Sequence, residues 1–163
     1  MKGAKPVSAS KTILSMQMLP VEANPMGNVH GGTILKLMDT AAAVAAMRYA
    51  RTNVVSASID RMDFYHPVYV GNLLILKASV NYAGRTSMEV GVRIEAEDLK
   101  RGKVTHTGSS YVTYVALDEK GKPTPVPQVI PETPEEKRRW QEGRQRREQR
   151  LRLLARKARR GKD

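Results

Sequence analysis

The sequence predicts an α+β fold in which a five-stranded antiparallel sheet wraps one long helix and a basic C-terminal helix follows. Three observations carry that expectation. A breaker-free run at 31–51, rich in Ala and Leu, is long enough for roughly five to six helical turns. One stretch of strand character precedes it and four follow, joined mostly by short turn signals. A cluster of prolines then separates this unit from an Arg-rich segment of helical composition.

In chain order, residues 1–9 read as an N-terminal extension. Residues 10–18 (SKTILSMQM) end in alternating apolar and polar positions, a first strand stopped by Pro20. A loop follows at 22–30, with Pro25 and Gly27 as breakers. The run 31–51 (GGTILKLMDTAAAVAAMRYAR) is apolar nearly all round, so other structure should wrap it, with Lys36, Thr40, Arg48 and Arg51 as its narrow polar stripe. Strands are expected at 54–64, 72–82, 87–96 and 103–117, with turns at Pro67 and Gly71, at Gly84 and at 100–102. Connections this short favour an antiparallel sheet over the strand–helix alternation of a parallel one.

Five of the nine prolines (Pro123, Pro125, Pro127, Pro131, Pro134) fall in 118–134, which reads as a stiff, extended linker. Beyond it, 135–160 is helical in composition, with only Gly143 inside. Leu151, Leu154, Ala155 and Ala158 recur at i, i+3, i+4 and i+7, a thin apolar stripe on a basic helix. The division expected is therefore an extension at 1–9, a folded unit at 10–117, a linker at 118–134 and a basic helix at 135–163.

With 40% apolar residues, the chain holds enough material for a single hydrophobic core. Its longest apolar stretch, 41–47, is far below the roughly 18 residues of a membrane span. No charged leader precedes a long apolar run, so a soluble cytoplasmic protein without membrane attachment is expected. The absence of Cys excludes disulfides, thiolate catalysis and Cys-ligated metal, and His30, His66 and His106 lack metal-ligand spacing. Neither a metal nor a separate cofactor is expected. The formal charge of +12 is uneven: residues 132–163 carry 13 Lys/Arg against 6 Asp/Glu. Such a tail attracts polyanions, and nucleic acid, an anionic membrane and a phosphate-rich ligand all satisfy it.

The informative stretch runs from Asn24 to Asp39 (NPMGNVHGGTILKLMD). Paired glycines at the start of a helix let a ligand or another backbone approach closely, and the unpaired N–H groups there favour a developing negative charge. Asp39 lies about two turns further on in an apolar run, where an unpartnered carboxylate would cost several kcal/mol. Simpler explanations exist for each residue. Asp39 sits at helical spacing from Lys36, His30 could serve the loop as a hydrogen-bonding residue, and Gly31 and Gly32 could serve helix packing alone.

Taken together, NPMGNVHGGTILKLMD, the following TNVVSASIDRMDF and the tail YVALDEKGKPTPVPQVIPETPEEKRRWQEG resemble the acyl-CoA thioester hydrolase family, both its small bacterial members and its two-domain brain-type relatives. The resemblance covers about 10–147 and implies a hotdog fold, hydrolysis of acyl-CoA to free acid and CoA, and no metal or cofactor, CoA being part of the substrate. It marks Asn24 and Asp39 as the catalytic polar pair and the Gly31–Gly32 turn, Gly32 above all, as donor of backbone N–H groups to the thioester oxygen. Asp39 then serves as general base for water, or as a nucleophile.

Seven residues of helix from Gly32 to Asp39 rise about 10 Å, further than one reacting centre spans. Asp39 of one subunit should therefore meet Asn24 and Gly32 of another, in a homodimer at least and, by resemblance, a trimer of dimers. His30 and Gly31 join the substrate-binding set. So do Ser56, Ala57 and Ser58 for the pantetheine arm, and Gly84, Arg85, Thr86 and Ser87 for the CoA phosphates, although 84–87 also reads as an ordinary hairpin turn. Asp60, Asp63 and His66 read as structural or solvated.

Two rival functions compete with this reading. A nucleic-acid-binding module would use the Arg-rich tail, but the folded part carries no recognition motif and aromatics are only 5% of residues. A hotdog dehydratase would place a His as acid/base beside a carboxylate of the central helix, and no His lies within 31–51.

Overall fold

The computed structural model of the chain describes residues 3–160, with side chains through residue 156. Its elements in order are β1 (Ala4–Pro6), β2 (Thr12–Gln17), α1 (Gly31–Ala50), β3 (Asn53–Phe64), β4 (Leu73–Ala83), β5 (Ser87–Asp98), β6 (Lys103–Leu117), β7 (Gln128–Ile130) and α2 (Pro134–Arg160). Five strands form one antiparallel sheet in the order β2-β4-β5-β6-β3. The central helix, five strands and basic last helix are those the sequence predicts. Arg51 falls outside α1 because it turns left-handed at the C-cap (φ 55°), where its N–H donates to Met47 O.

α1 lies across one face of the sheet and packs on all five strands. Ala41, Ala42, Ala45 and Ala46 are fully buried there, since short side chains let a helix approach a sheet closely. Alternation does the rest: Val80, Val90 and Val112 are opposite one another in register and fully buried beneath α1. The far side of α1 stays open, with Lys36, Thr40, Met47 and Arg48 exposed.

The opposite face carries α2. Thr133 and Glu136 form a reciprocal capping box at its start: Glu136 N–H donates to Thr133 Oγ1 (3.1 Å), while Glu136 Oε2 accepts from the N–H of Thr133 (3.3 Å) and Glu132 (2.9 Å). Burial works against the Glu136 charge, but these donors and Lys11 Nζ at 3.3 Å outweigh it and hold the carboxyl below its usual range. Trp140 packs on Tyr82, with ring centroids 5.4 Å apart.

Two stretches read from sequence as an extension (1–9) and a linker (118–134) contribute Ala4–Pro6 and Gln128–Ile130, which meet in the fold. β1 and β7 pair in parallel, with Lys5 opposite Val129. The buried Tyr49 hydroxyl at the end of α1 donates toward Gln128 O (2.8 Å) and Lys5 O (3.1 Å), and Lys5 Nζ donates to Tyr49 O (3.0 Å). Burial pushes the Tyr49 phenol up to about 12, against the opposing hydrogen bond with Lys5, so it stays a donor across the working pH range. Tyr49→Phe should lower unfolding free energy by about 1–3 kcal/mol, because it orphans two carbonyls. Denaturant titration checks this, and a loss below about 0.5 kcal/mol would show that the carbonyls find other partners.

Candidate active site

The loop before α1 is tied by its own polar groups. Asn24 Oδ1 accepts from the N–H of Met26 (2.9 Å) and Asn28 (3.2 Å), and Gly27 takes positive φ (82°) within that turn. With the oxygen engaged, the amide N–H of Asn24 is what remains to meet a ligand. Asn24 lines an open cleft of about 310 Å³ together with Asn28, Gly31, Ile34, Phe64, Tyr65 and His66.

His30 is the N-cap of α1, and its Nδ1 accepts from the Gly32 N–H at 2.9 Å. This corrects the expectation of a free donor at Gly32: the N–H is already engaged, because a cap side chain at N-cap reaches the second helical residue. A Cβ built on Gly32 would lie 3.0 Å from that same nitrogen. Among the described residues the Gly31 N–H has no hydrogen-bond partner, and it borders the cleft.

Asp39 stands apart from this cleft, two turns along α1. It does not pair with Lys36; its partner is Tyr114 of β6, whose hydroxyl lies 2.6 Å from Oδ1 and 2.9 Å from the Asp39 main-chain oxygen. Tyr114 is 2% exposed, and burial, followed by the hydrogen bond to Asp39 and its charge, drives the phenol above its ordinary range. No local motif marks Tyr114. The available signal was parity: Val112, Tyr114 and Ala116 alternate onto one buried face, and a phenol there needs an acceptor just as Asp39 needs a donor.

Ser56 lies opposite Tyr114 in the β3–β6 register and therefore shares its face, toward α1. A bulge at Ala57 then puts Ser58 opposite Thr113, on the other face, where its hydroxyl donates to Asp60 Oδ1 at 3.1 Å. Ser56 and Ser58, two positions apart, thus face opposite ways. On the other side of β6, Ser87 is opposite Val115, one position along from Tyr114. Gly84 O accepts from Gln128 Nε2 (3.0 Å), and a Cβ on Gly84 would meet the Arg147 guanidinium at 2.9 Å.

The candidate residues thus fall into two candidate half-sites. Asn24, His30, Gly31 and Gly32 belong to one; Asp39 and Tyr114 belong to the other, with Ser56 opposite Tyr114 and Ser87 opposite Val115 in register. Asp63 pairs with Arg61 at 2.7 Å and Asp60 with Arg150 of α2, whereas His66 lines the Asn24 cleft. Among the described residues no cluster of His, Asp or Glu has metal-binding geometry, and no helix is long and apolar enough to cross a membrane.

The family model for the thioesterase superfamily matches residues 26–103, which include most of both half-sites. The chain is 43% identical to protein VdlD of Helicobacter pylori over 143 residues, 88% of this chain and 82% of that protein. It superposes on a hexameric acyl-CoA thioesterase with TM-score 0.90 and 44% identity, covering 94% of this chain and 98% of the other. A third relative is the acyl-CoA hydrolase of Staphylococcus aureus, solved with butyryl coenzyme A, coenzyme A and coenzyme A disulfide. There the TM-score is 0.87 and identity 39%, with 95% of this chain and 96% of that one covered. With its helix wrapped by a five-stranded antiparallel sheet, the chain belongs to the hotdog-fold thioesterase superfamily, among its acyl-CoA thioester hydrolases.

Proposed function

We propose that this protein hydrolyses acyl-CoA thioesters to free carboxylic acid and CoA, in sites that each combine Asp39 of one subunit with Asn24 and the Gly31–Gly32 turn of another. The observation that carries the shared site is the separation of the half-sites: Asp39 is absent from the cleft that Asn24 and Gly31 line. Two surfaces suit a partner copy. β3 is an edge strand with Val55, Ile59 and Phe64 each about half exposed, and the far side of α1 is uncovered. A two-fold pairing there brings equivalent surfaces together, and the relative solved as a hexamer supports three such dimers.

In the proposed reaction Asp39 removes a proton from water as its oxygen attacks the thioester carbonyl carbon. The negative charge formed on the carbonyl oxygen is met by the free Gly31 N–H, and by the Gly32 N–H once the His30 ring turns away. The Asn24 amide N–H orients the carbonyl or the water. Collapse breaks the carbon–sulfur bond, and the proton held by Asp39 passes to the departing CoA sulfur. No metal or cofactor enters these steps. Ser56 faces the pantetheine arm, and Arg85 with the 84–87 backbone meets the CoA phosphates. The unit 10–117 carries the chemistry, and a cytoplasmic CoA pool supplies the substrate.

Purified protein given a saturated acyl-CoA series with a thiol reagent should release free CoA at an enzymatic rate on at least part of the series. No thiol release with any chain length would overturn the assignment. A dehydratase acting on 3-hydroxyacyl thioesters would consume substrate with no thiol appearing.

A further inference from the structure

We propose that Tyr114 is a positioning residue for Asp39: its hydroxyl holds one carboxylate oxygen and the main-chain oxygen of the same residue, and so turns the other carboxylate oxygen toward the reacting water. The inference rests on the reading of Asp39 as the base.

The geometry is specific. One phenol faces two acceptors of a single residue, at 2.6 Å (Oδ1) and 2.9 Å (main-chain O), which limits rotation of the carboxylate about its side-chain bonds. Oδ2 has no hydrogen-bond partner among the described residues, so it is the oxygen left for chemistry. Tyr114 is itself immobilised: it is almost fully buried on β6, between neighbours paired with β3 on one side and β5 on the other. Burial, followed by the hydrogen bond to Asp39 and its charge, holds the phenol above its ordinary range, so the hydroxyl remains a donor.

The chemistry of the partner matters as much as its position. A Lys or Arg at this place would form an ion pair and weaken the carboxylate as a base, whereas a neutral phenol orients it while leaving its charge uncompensated. Among the described residues Asp39 makes no salt bridge, and Tyr114 is its one side-chain hydrogen-bond partner. The register neighbours of Tyr114 on this face are Ser56 and Met88, and Lys36, one turn back on α1, is exposed and makes no ion pair with Asp39.

The test uses the full-length protein as Tyr114→Phe, Asp39→Asn and the double variant, with kcat and KM for acyl-CoA hydrolysis measured across pH. In Tyr114→Phe, kcat should fall about 10–100-fold, the range seen when a group orienting a functional side chain is lost, with KM within about threefold of wild type. The double variant should be no slower than Asp39→Asn alone, since Tyr114 acts only through Asp39.

Replacing Tyr114 by 3-fluorotyrosine, which keeps the hydroxyl donor in nearly the same shape, should hold kcat within about threefold of wild type and covers the case in which the Phe variant folds poorly. If Asp39→Asn is inactive but Tyr114→Phe keeps wild-type kcat, the positioning role fails while the proposed function stands. A double variant slower than Asp39→Asn by the same factor that separates Tyr114→Phe from wild type also overturns it, in favour of a structural role. Wild-type turnover in Asp39→Asn would instead remove the reading on which both rest.

Discussion

Two inactive variants should regain activity when mixed. Asp39→Asn and Asn24→Asp should each lower turnover by about 10²–10⁴-fold, the usual span of a positioned acid–base or orienting group. Asp at 24 keeps an oxygen for the N–H groups of Met26 and Asn28 while removing the amide donor, so the loop turn survives and the donor is what is tested. In a two-fold dimer with shared sites, a mixed pair holds one site with both substitutions and one with neither. Random exchange of equal amounts makes half the dimers mixed, so about a quarter of wild-type turnover should return. No recovery after exchange has been verified by mass would place each site within a single chain. The contrast is large because a site inside one subunit would recover nothing.

The second large effect concerns stability. Arg146→Ala should destabilise the protein by about 3–5 kcal/mol, since it strips a buried carboxylate of its main partner. The Arg146 guanidinium makes two bonds to Glu89, at 2.7 and 3.0 Å, and lies 3.8 Å over the Tyr111 ring. Glu89 is 2% exposed, and without Arg146 its one side-chain partner among the described residues is Asn81 Nδ2 at 3.1 Å. Limited proteolysis within α2 should quicken in step with the lower denaturation midpoint. Glu89→Gln in the same background should restore part of the loss by removing the stranded charge. A loss below 1 kcal/mol for Arg146→Ala would mean that water reaches Glu89 and α2 is held by other contacts.

What could be read from the residues depended on range. α1 and the strands β2 to β6 follow from local pattern, because alternation and helical composition act over a few neighbouring positions; β6 begins and ends where composition places it. β1 and β7 escaped because each is three residues long, β1 contains Pro6 and its partner lies more than a hundred positions away. Strand propensity has no purchase on such a pair, which the Tyr49 hydroxyl ties to the end of α1.

The site divides the same way. Asn24, the glycine pair and Asp39 lie in one contiguous motif and stood out together. Tyr114 is 75 positions from Asp39, and the engagement of Gly32 by His30 depends on the direction of one ring nitrogen. Glu89 read as one more strand residue until α2 covered it. The stripe of the tail shows the converse: Leu151 and Leu154 repeat as a packing face should, yet within one chain they remain about half exposed.

The extra residue in β3 has a reach beyond its own turn of chain. Ala57 works as a phase shifter: on either side of it the strand is the same ribbon read in opposite frames. Were Ala57 drawn into the ladder opposite Tyr114, every position before it would move into the other frame, sending Ser56 outward while Val55 turned toward α1. At this point the pairing of a single residue decides which side chain stands opposite the phenol that holds the carboxylate.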